Sequence, residues 1–195
     1  MTNHQHTIPA WNSAGILPPI HPSVPATDIH RSPYSIDITV FVARFAISPE
    51  RIKILTGLLD YRIQLYNTGI TSGFQWLDGS FLEHIEVLEN RAPNDIDVVT
   101  FFDMPAGHDQ QSLFAQHPQL FDRTHNKSRY TIDAYFVEIG QPITAWHVKY
   151  ITYWYSMWSH QRDGTWKGFV QVALNPALDA DARTLILTAG GGHHA

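Results

Sequence analysis

The sequence predicts a single α+β domain in which helices flank a mixed β-sheet. Runs that alternate apolar and polar residues are interspersed with runs that repeat apolar residues at helical spacing. With 195 residues, the chain is long enough to bury one core, and its 44% hydrophobic and 16% charged residues are typical of a globular protein. A stricter α/β alternation is the alternative that these patterns leave open.

Three segments are expected along the chain. Six prolines fall within residues 1–33, which predicts an extended N-terminal arm. Residues 34–175 contain the predicted strands and helices and form the folded domain. Residues 176–195 are predicted to be a C-terminal tail, in which Asp179-Ala180-Asp181 is a solvated turn.

The elements of the domain follow from periodicity and end signals. Alternation over residues 35–43 predicts the first strand. Ser48-Pro49-Glu50 predicts a helix start, because it combines a capping hydroxyl, a proline at the first helical position and an acid near the positive end of the dipole. That helix is expected to stop at Asn67-Thr68-Gly69. The other predicted elements are strands over 73–78, 95–102, 130–138 and 167–174, and helices over 81–89, 109–116 and 142–159.

Composition excludes several functional classes. A net charge of −5 argues against broad DNA binding through a basic surface. The chain contains no cysteine, which excludes disulfides, zinc–thiolate sites and a cysteine nucleophile. No apolar run approaches ~18 residues and the N-terminus lacks the order of a signal peptide, so we expect a cytoplasmic protein without a membrane span. No zinc site is expected at the histidines near the chain ends, which are His4, His6, His193 and His194.

Gly79-Ser80 marks a turn from a strand into a helix. Glycine permits a tight turn, and Ser80 with Glu83 fits a capping box. A helix N-terminus after a glycine turn also favours anions. The two interpretations are compatible.

Asp95 and Asp97 lie in an otherwise apolar run. Alternation puts both carboxylates on one face of a strand, where their repulsion raises a pKa unless a cation such as Mg²⁺ lies between them. A third acid is expected from a neighbouring strand. Asp133 in "YTIDAYFVEIG" is the first candidate, and Asp37 in "YSIDITVF" is its competitor.

Gly-Ser at a strand-to-helix turn, Asp-Ile-Asp on the next strand and a lone Asp on a later strand together resemble the polymerase-β-like nucleotidyltransferase superfamily. The segments "LPPIHP", "WLDGSF", "NDIDVVTFF" and "RDGTWKG" are similar to a small bacterial family within it. The resemblance covers most of residues 15–172 and implies a nucleotidyltransferase-like sheet.

The resemblance also implies roles for individual residues. Gly79 and Ser80 would hold the β- and γ-phosphates of a nucleoside triphosphate, ATP being the expected one. Asp95 and Asp97 would bind two Mg²⁺ or Mn²⁺ ions, and Asp133 would complete the metal site and help deprotonate the acceptor. Pyrophosphate would leave after in-line attack at the α-phosphorus. Further nucleotide-binding candidates are the basic residues Lys127, Arg129, Arg162 and Lys167.

The expected activity is therefore transfer of NMP, with AMP as the expected group, to a protein or tRNA hydroxyl. By analogy with small superfamily members, it would belong to a toxin–antitoxin or phage-defence system. The aromatic residues of the helix over 142–159, which include Trp146, Trp154 and Trp158, are either core or a surface on which a base stacks.

Two alternatives remain. The acidic residues after the turn (Glu83, Glu86 and Glu89) and the absence of an arginine there favour a catalytically silent antitoxin, immunity or scaffold protein with a partner protein. A metal-dependent phosphoesterase would need histidines near the acids, and only His84 and His108 are close in sequence.

Overall fold

The computed structural model describes residues 7–140 and 142–191. Their strands form one mixed sheet of five: β1 (Tyr34–Ile36), β2 (Gly73–Asp78), β3 (Ile96–Phe102), β4 (Ile132–Glu138) and β5 (Val170–Ala173). The order across the sheet is β1-β5-β2-β3-β4. β2 is antiparallel to both of its neighbours, whereas the β1–β5 and β3–β4 pairs are parallel. The antiparallel pairs make the protein α+β, as predicted.

Helices surround this sheet, and 3-10 turns at Ser80–Leu82 and Pro118–Phe121 supplement them. The α-helices of the described residues are α1 (Ile38–Phe45), α2 (Pro49–Asn67), α3 (Ile85–Leu88), α4 (Gln110–Gln116), α5 (Arg123–Tyr130), α6 (Ala145–Trp158) and α7 (Pro176–Gly191). None of them is long and apolar enough to cross a membrane. The helix start at Ser48 is confirmed, because its side chain accepts a hydrogen bond from Arg51 N.

The two faces of the sheet are covered differently. On one face, α2 packs against the sheet and α7 packs against both α1 and α2. On the other face, which we call the α6 face, Tyr135 contacts Trp154 of α6, and Trp76 contacts Tyr155. Side chains alternate along a strand, so Asp78 and Asp133, each two residues from an aromatic of this face, also point towards it.

The strand predicted over residues 35–43 is wrong beyond Ile36. Residues Ile38 to Phe45 form helix α1, which buries Ile38, Phe41, Val42 and Phe45. These buried positions follow the spacing i, i+3, i+4, i+7 of a helix face. The β-branched residues of "ITVFV" produce an alternating pattern as well, and packing against α7 decides in favour of the helix.

The chain end is also different from the prediction. Residues 176–191 form helix α7, and Asp179 is a buried residue rather than part of a solvated turn. Its carboxylate accepts hydrogen bonds from the Arg62 guanidinium at 2.7 and 2.8 Å and from Tyr66 Oη at 2.8 Å. Residues 192–195, with His193 and His194, lie outside the described residues, as do His4, His6 and Gln141.

The described part of the N-terminal arm packs on the domain. Ile16 and Leu17 are buried, and Leu17 belongs to the central core. The indole Nε1 of Trp11 donates to the carbonyl of Leu82 at 2.6 Å, and Gly168 N donates to Leu17 O at 2.7 Å. These contacts hold the arm beside the turn that follows β2.

Candidate functional site

Three aspartates form a row across β2, β3 and β4, which we call the acid row. Asp78 is the cross-strand partner of Asp97 on β3, and Asp97 is the partner of Asp133 on β4. Directly opposite residues on neighbouring strands point to the same face, with Cβ atoms about 5 Å apart. Asp95, just before β3, flanks the row. Of the three acids that the sequence singled out, Asp97 and Asp133 are therefore direct cross-strand neighbours, and Asp95 lies two residues before Asp97.

The charge of Asp97 is the least compensated in the row. Burial, followed by the negative charges of Asp95 and Asp133, raises the pKa of Asp97 to about 6. Among the described residues, no cation makes an ion pair with Asp97. Carboxylate oxygens at close quarters suit a hard divalent cation, which removes this repulsion. The oxygen donors at Asp97 are of the kind that Mg²⁺ or Mn²⁺ prefers.

Asp133 is held by an arginine of helix α5. Arg123 donates from Nε to Oδ1 and from Nη2 to Oδ2 of Asp133, both at 2.8 Å. Its guanidinium also lies over the ring of Tyr135, 4.3 Å from the centroid. This bidentate pair raises the pKa of Arg123 and neutralises one end of the acid row.

Asp95 is held by a lysine of the same helix. Lys127 Nζ lies 2.6 Å from Asp95 Oδ2. Helix α5 is fixed at its start by Asp122, whose Oδ1 accepts from Thr124 N at 2.8 Å and from His125 N at 3.1 Å. With two acids turned towards α5, the described acidic and histidine side chains form no group of three arranged to hold a metal ion.

Gly79 is required by its close approach to Asp97. Its φ is +87°, and a Cβ at this position would lie 2.3 Å from Asp97 Oδ2. Any side chain here would displace the carboxylate of Asp97. The turn and the acid row are therefore in direct contact.

The capping box predicted for Ser80 and Glu83 is wrong. Gly79 stands at the N-cap, and Ser80 is the half-buried first residue of a three-residue 3-10 turn without a side-chain cap. Glu83 instead accepts a hydrogen bond from Lys167 Nζ at 3.1 Å and one from Gln161 Nε2 at 3.0 Å. The turn is held by long-range contacts rather than by its own side chains.

Lys167, a predicted nucleotide ligand, is buried between two acids. Its Nζ lies 3.0 Å from Asp78 Oδ1 and 3.1 Å from Glu83 Oε1. Burial raises the pKa of Asp78 to about 7, against the opposing effect of Lys167. The ammonium therefore braces the two sides of the Gly79 turn.

The other basic candidates lie apart from the acids. Arg129 is exposed, with its guanidinium 5.8 Å from the ring centroid of Tyr130, and Arg162 is exposed in a turn. Within residues 7–140 and 142–191, no hydrogen bond or ion pair joins either arginine to the acid row. Asp37, the competitor of Asp133, is exposed beside β1 at the opposite edge of the sheet.

Aromatic and histidine candidates are divided between core and surface. Trp154 and Trp158 are buried, whereas Trp146 is largely exposed. His84 stacks on Trp11 at 4.4 Å, and the Nε2 of His108 lies 3.3 Å from Gln116 Oε1. Neither histidine has a described contact with the acids, so the geometry lends no support to the phosphoesterase alternative.

Two residues of the site were not singled out in the sequence. Asp78 lies next to Gly79 in the sequence. Its place in the site follows from the pairing of β2 with β3, which puts it opposite Asp97. The sequence signal for Arg123 is weak. Arg123 stands four residues before Lys127, and this spacing puts both cations on one side of a helix.

Comparisons with known proteins identify a family but no activity. No curated protein and no solved structure shows significant similarity to this chain. One family profile, described as a family of unknown function (DUF6932), matches residues 9–173. Since this match spans most of the chain, the protein belongs to the DUF6932 family.

Proposed function

We propose that this protein is a metal-dependent nucleotidyltransferase with a nucleotidyltransferase-like fold. It transfers NMP, with AMP as the expected group, from a nucleoside triphosphate to a protein or RNA hydroxyl. The observation that carries this proposal is the register of Asp97 and Asp133 on adjacent parallel strands, with Gly79 packed against the Asp97 carboxylate.

Each part of the site has a role in this proposal. Asp95, Asp97 and Asp133 would hold Mg²⁺ or Mn²⁺, which when bound supplies positive charge to the phosphate oxygens of the reacting group. Gly79 lets the backbone approach the phosphates closely, and Ser80 offers a hydroxyl beside them. Asp133 is the acid of the row on the outermost strand, and we assign it the acceptor proton.

The surroundings suit a reaction that depends on positioning and electrostatics. Phosphoryl-group chemistry of this kind needs no protein nucleophile, and the chain has no cysteine. Lys167 and Glu83 hold the Gly79 turn in place from the side of β5, and Trp11 donates to the carbonyl of Leu82 at the end of the same turn. A rigid turn favours catalysis because it fixes the phosphates before reaction.

A second candidate function is a catalytically silent antitoxin, immunity or scaffold protein. The Arg123–Asp133 and Lys127–Asp95 ion pairs favour it, because they neutralise two acids without any metal. The exposed aromatic residues of α6, which include Trp146, Tyr150 and Tyr153, would then contact a partner protein. Either function is compatible with a toxin–antitoxin or phage-defence system.

Thermal unfolding tests the nucleotide binding that the enzyme requires. ATP, GTP, CTP and UTP would each be added with and without Mg²⁺ to the wild type and to Asp97→Asn. A nucleotide at ~100 times its Kd adds roughly 2.7 kcal/mol and raises Tm by several degrees. The enzyme requires a magnesium-dependent shift with at least one nucleotide that is lost in Asp97→Asn. Asp181→Asn, which changes an exposed acid of α7, is the matched control and should retain the shift.

Labelled nucleotide then tests the transfer itself. The responding nucleotide, labelled at the α- or the γ-phosphate, would be incubated with total tRNA and with a protein fraction. Nucleotidyl transfer leaves the α-label on the acceptor, whereas phosphoryl transfer leaves the γ-label. A Tm shift without transfer of either label would favour the silent relative, and absence of any shift would remove nucleotide binding from the proposal.

A further inference from the structure

Helix α5 presents two cations to two different acids of the site. Arg123 and Lys127 are four residues apart, so they project from the same side of the helix. Arg123 binds Asp133 at one end of the group of carboxylates, and Lys127 binds Asp95. Asp97 lies between these two ion pairs, and no described cation forms an ion pair with it.

In both ion pairs the cation is exposed to solvent while the acid is mostly buried. The side chains of Arg123 and Lys127 are 55% and 59% exposed, whereas the acids they hold are only 15% and 19% exposed. No described hydrogen bond ties the guanidinium of Arg123 to a backbone carbonyl. Because each cation reaches solvent, water or another anion can replace the carboxylate as its partner, so these pairs separate more easily than a fully buried pair.

A divalent cation at Asp97 would compete with these side chains. The metal ion would need the same carboxylates, Asp95 and Asp133, that Lys127 and Arg123 now bind. At ~4 Å the positive charges of the metal and of these side chains would repel each other strongly. Binding of the metal therefore requires both cations to move away. Once free, a guanidinium and an ammonium on an exposed helix face are suited to bind phosphate oxygens.

We propose that Arg123 and Lys127 form a cation latch. The latch occupies Asp133 and Asp95 until a divalent cation displaces it, and the displaced side chains then bind the phosphates of the nucleotide. This inference rests on the proposed function and adds Arg123 to its nucleotide ligands. Its consequence is reciprocal coupling: nucleotide tightens metal binding, and metal tightens nucleotide binding, by the same factor.

The first test measures Mn²⁺ binding by electron paramagnetic resonance, with MnCl₂ as the only ligand. The variants are Arg123→Gln, Lys127→Gln and the double substitution. We expect the double variant to bind Mn²⁺ at least about tenfold more tightly than the wild type, because the competing charges are gone. Arg129→Gln, on the same helix but without a contact to the acids, should bind like the wild type. Circular dichroism verifies that each variant is folded, and the single variants carry the test if the double variant is not.

Opposite results have distinct meanings. If wild type and double variant bind Mn²⁺ equally and both lose it with Asp97→Asn, the metal site stands and the latch is wrong. If no chain binds Mn²⁺, the metal site and the proposed function fail together with the latch.

The second test adds α,β-methylene-ATP, which resists transfer at the α-phosphate. The analogue should tighten Mn²⁺ binding by the wild type and by Arg129→Gln, and tighten it several-fold less in the double variant. An equal effect of the analogue on the wild type and on the double variant would overturn the phosphate-binding half of the proposal.

Discussion

Two kinds of arginine–carboxylate contact occur in this molecule, and burial separates them. Arg62 is fully buried and binds Asp179, the Gln75 side chain at 2.7 Å and the carbonyl of Ala173 at 2.8 Å. Arg123 is largely exposed, and within the described part of the chain its hydrogen bonds go to Asp133 alone. The same ionic chemistry therefore serves as a fixed tie in one region and as a removable contact in the other.

The number of hydrogen bonds explains the difference. Arg51, which is also fully buried, donates to Glu86 and to the carbonyls of Phe81 and Glu83 at 2.6 and 2.7 Å. A buried guanidinium must have its donors satisfied, so removing it leaves several partners unpaired. An exposed guanidinium can exchange its carboxylate for water or for another anion.

Removal of Arg62 is expected to have the largest effect. Arg62→Met should lower the free energy of unfolding by about 3–5 kcal/mol, because Asp179 would remain as a buried charge. Urea unfolding provides the measurement. Arg183→Met is the matched control: Arg183 contacts Asp60 at 2.7 Å between partly exposed side chains, and its loss should cost less than about 1 kcal/mol. Equal losses would show that burial does not distinguish these arginines.

Gly79→Ala is expected to have the next largest effect on stability. Its φ of +87° strains any other residue, and the new Cβ would displace Asp97 Oδ2. We expect a loss of about 2–3 kcal/mol together with loss of Mn²⁺ binding. Gly164 has the same φ but nothing within 4 Å of a Cβ, so Gly164→Ala should cost about 1 kcal/mol and leave Mn²⁺ binding intact. Intact Mn²⁺ binding by Gly79→Ala would refute the link between this turn and the acids.

Asp97→Asn is expected to stabilise the protein in the absence of metal. Because the pKa of Asp97 is raised from 3.8 to about 6, the folded chain binds more protons than the unfolded chain between these pH values. The stability of the wild type therefore falls, relative to the variant, as pH rises through this window. Asp97→Asn should be more stable by about 1–3 kcal/mol at pH 7.5 and equal to wild type near pH 3. Urea unfolding at several pH values tests this, and added Mn²⁺ should reduce or reverse the difference.

The sequence predicts most elements because their local signals agree with their packing. Strands β2 and β3 and helices α2 and α4 lie within one or two residues of the predicted bounds. Helix α5 was not predicted, and the helix predicted over 81–89 is a 3-10 turn followed by the short helix α3. Two other errors occur where a distant contact decides. Asp179 resembles a solvated acid until Arg62, 117 positions away, supplies its partner. Helix α1 competes with a strand pattern until α7 packs on it.

The site is predictable to the same extent. Asp97 and Asp133 stand out because acids are costly in apolar strands, and the parallel pairing of β3 and β4 places them side by side. The roles of Lys167 and Arg123 depend on tertiary contacts. Lys167 contacts Glu83, which is 84 positions away in the sequence. Lysine is usually exposed, and nothing in the sequence around Lys167 indicates that this one is buried.

Arg123→Gln is expected to have the smallest effect on stability. Because the guanidinium is 55% exposed and Asp133 keeps some access to solvent, the free energy of unfolding should change by about 1 kcal/mol or less without metal. The measurement is urea unfolding beside Arg62→Met under the same conditions. A loss approaching that of Arg62→Met would mean that the contact with Asp133 and the ring of Tyr135 is a fixed structural tie. A small loss of stability accompanied by tighter Mn²⁺ binding would mean that Arg123 competes with the metal for the Asp133 carboxylate without being needed for the fold.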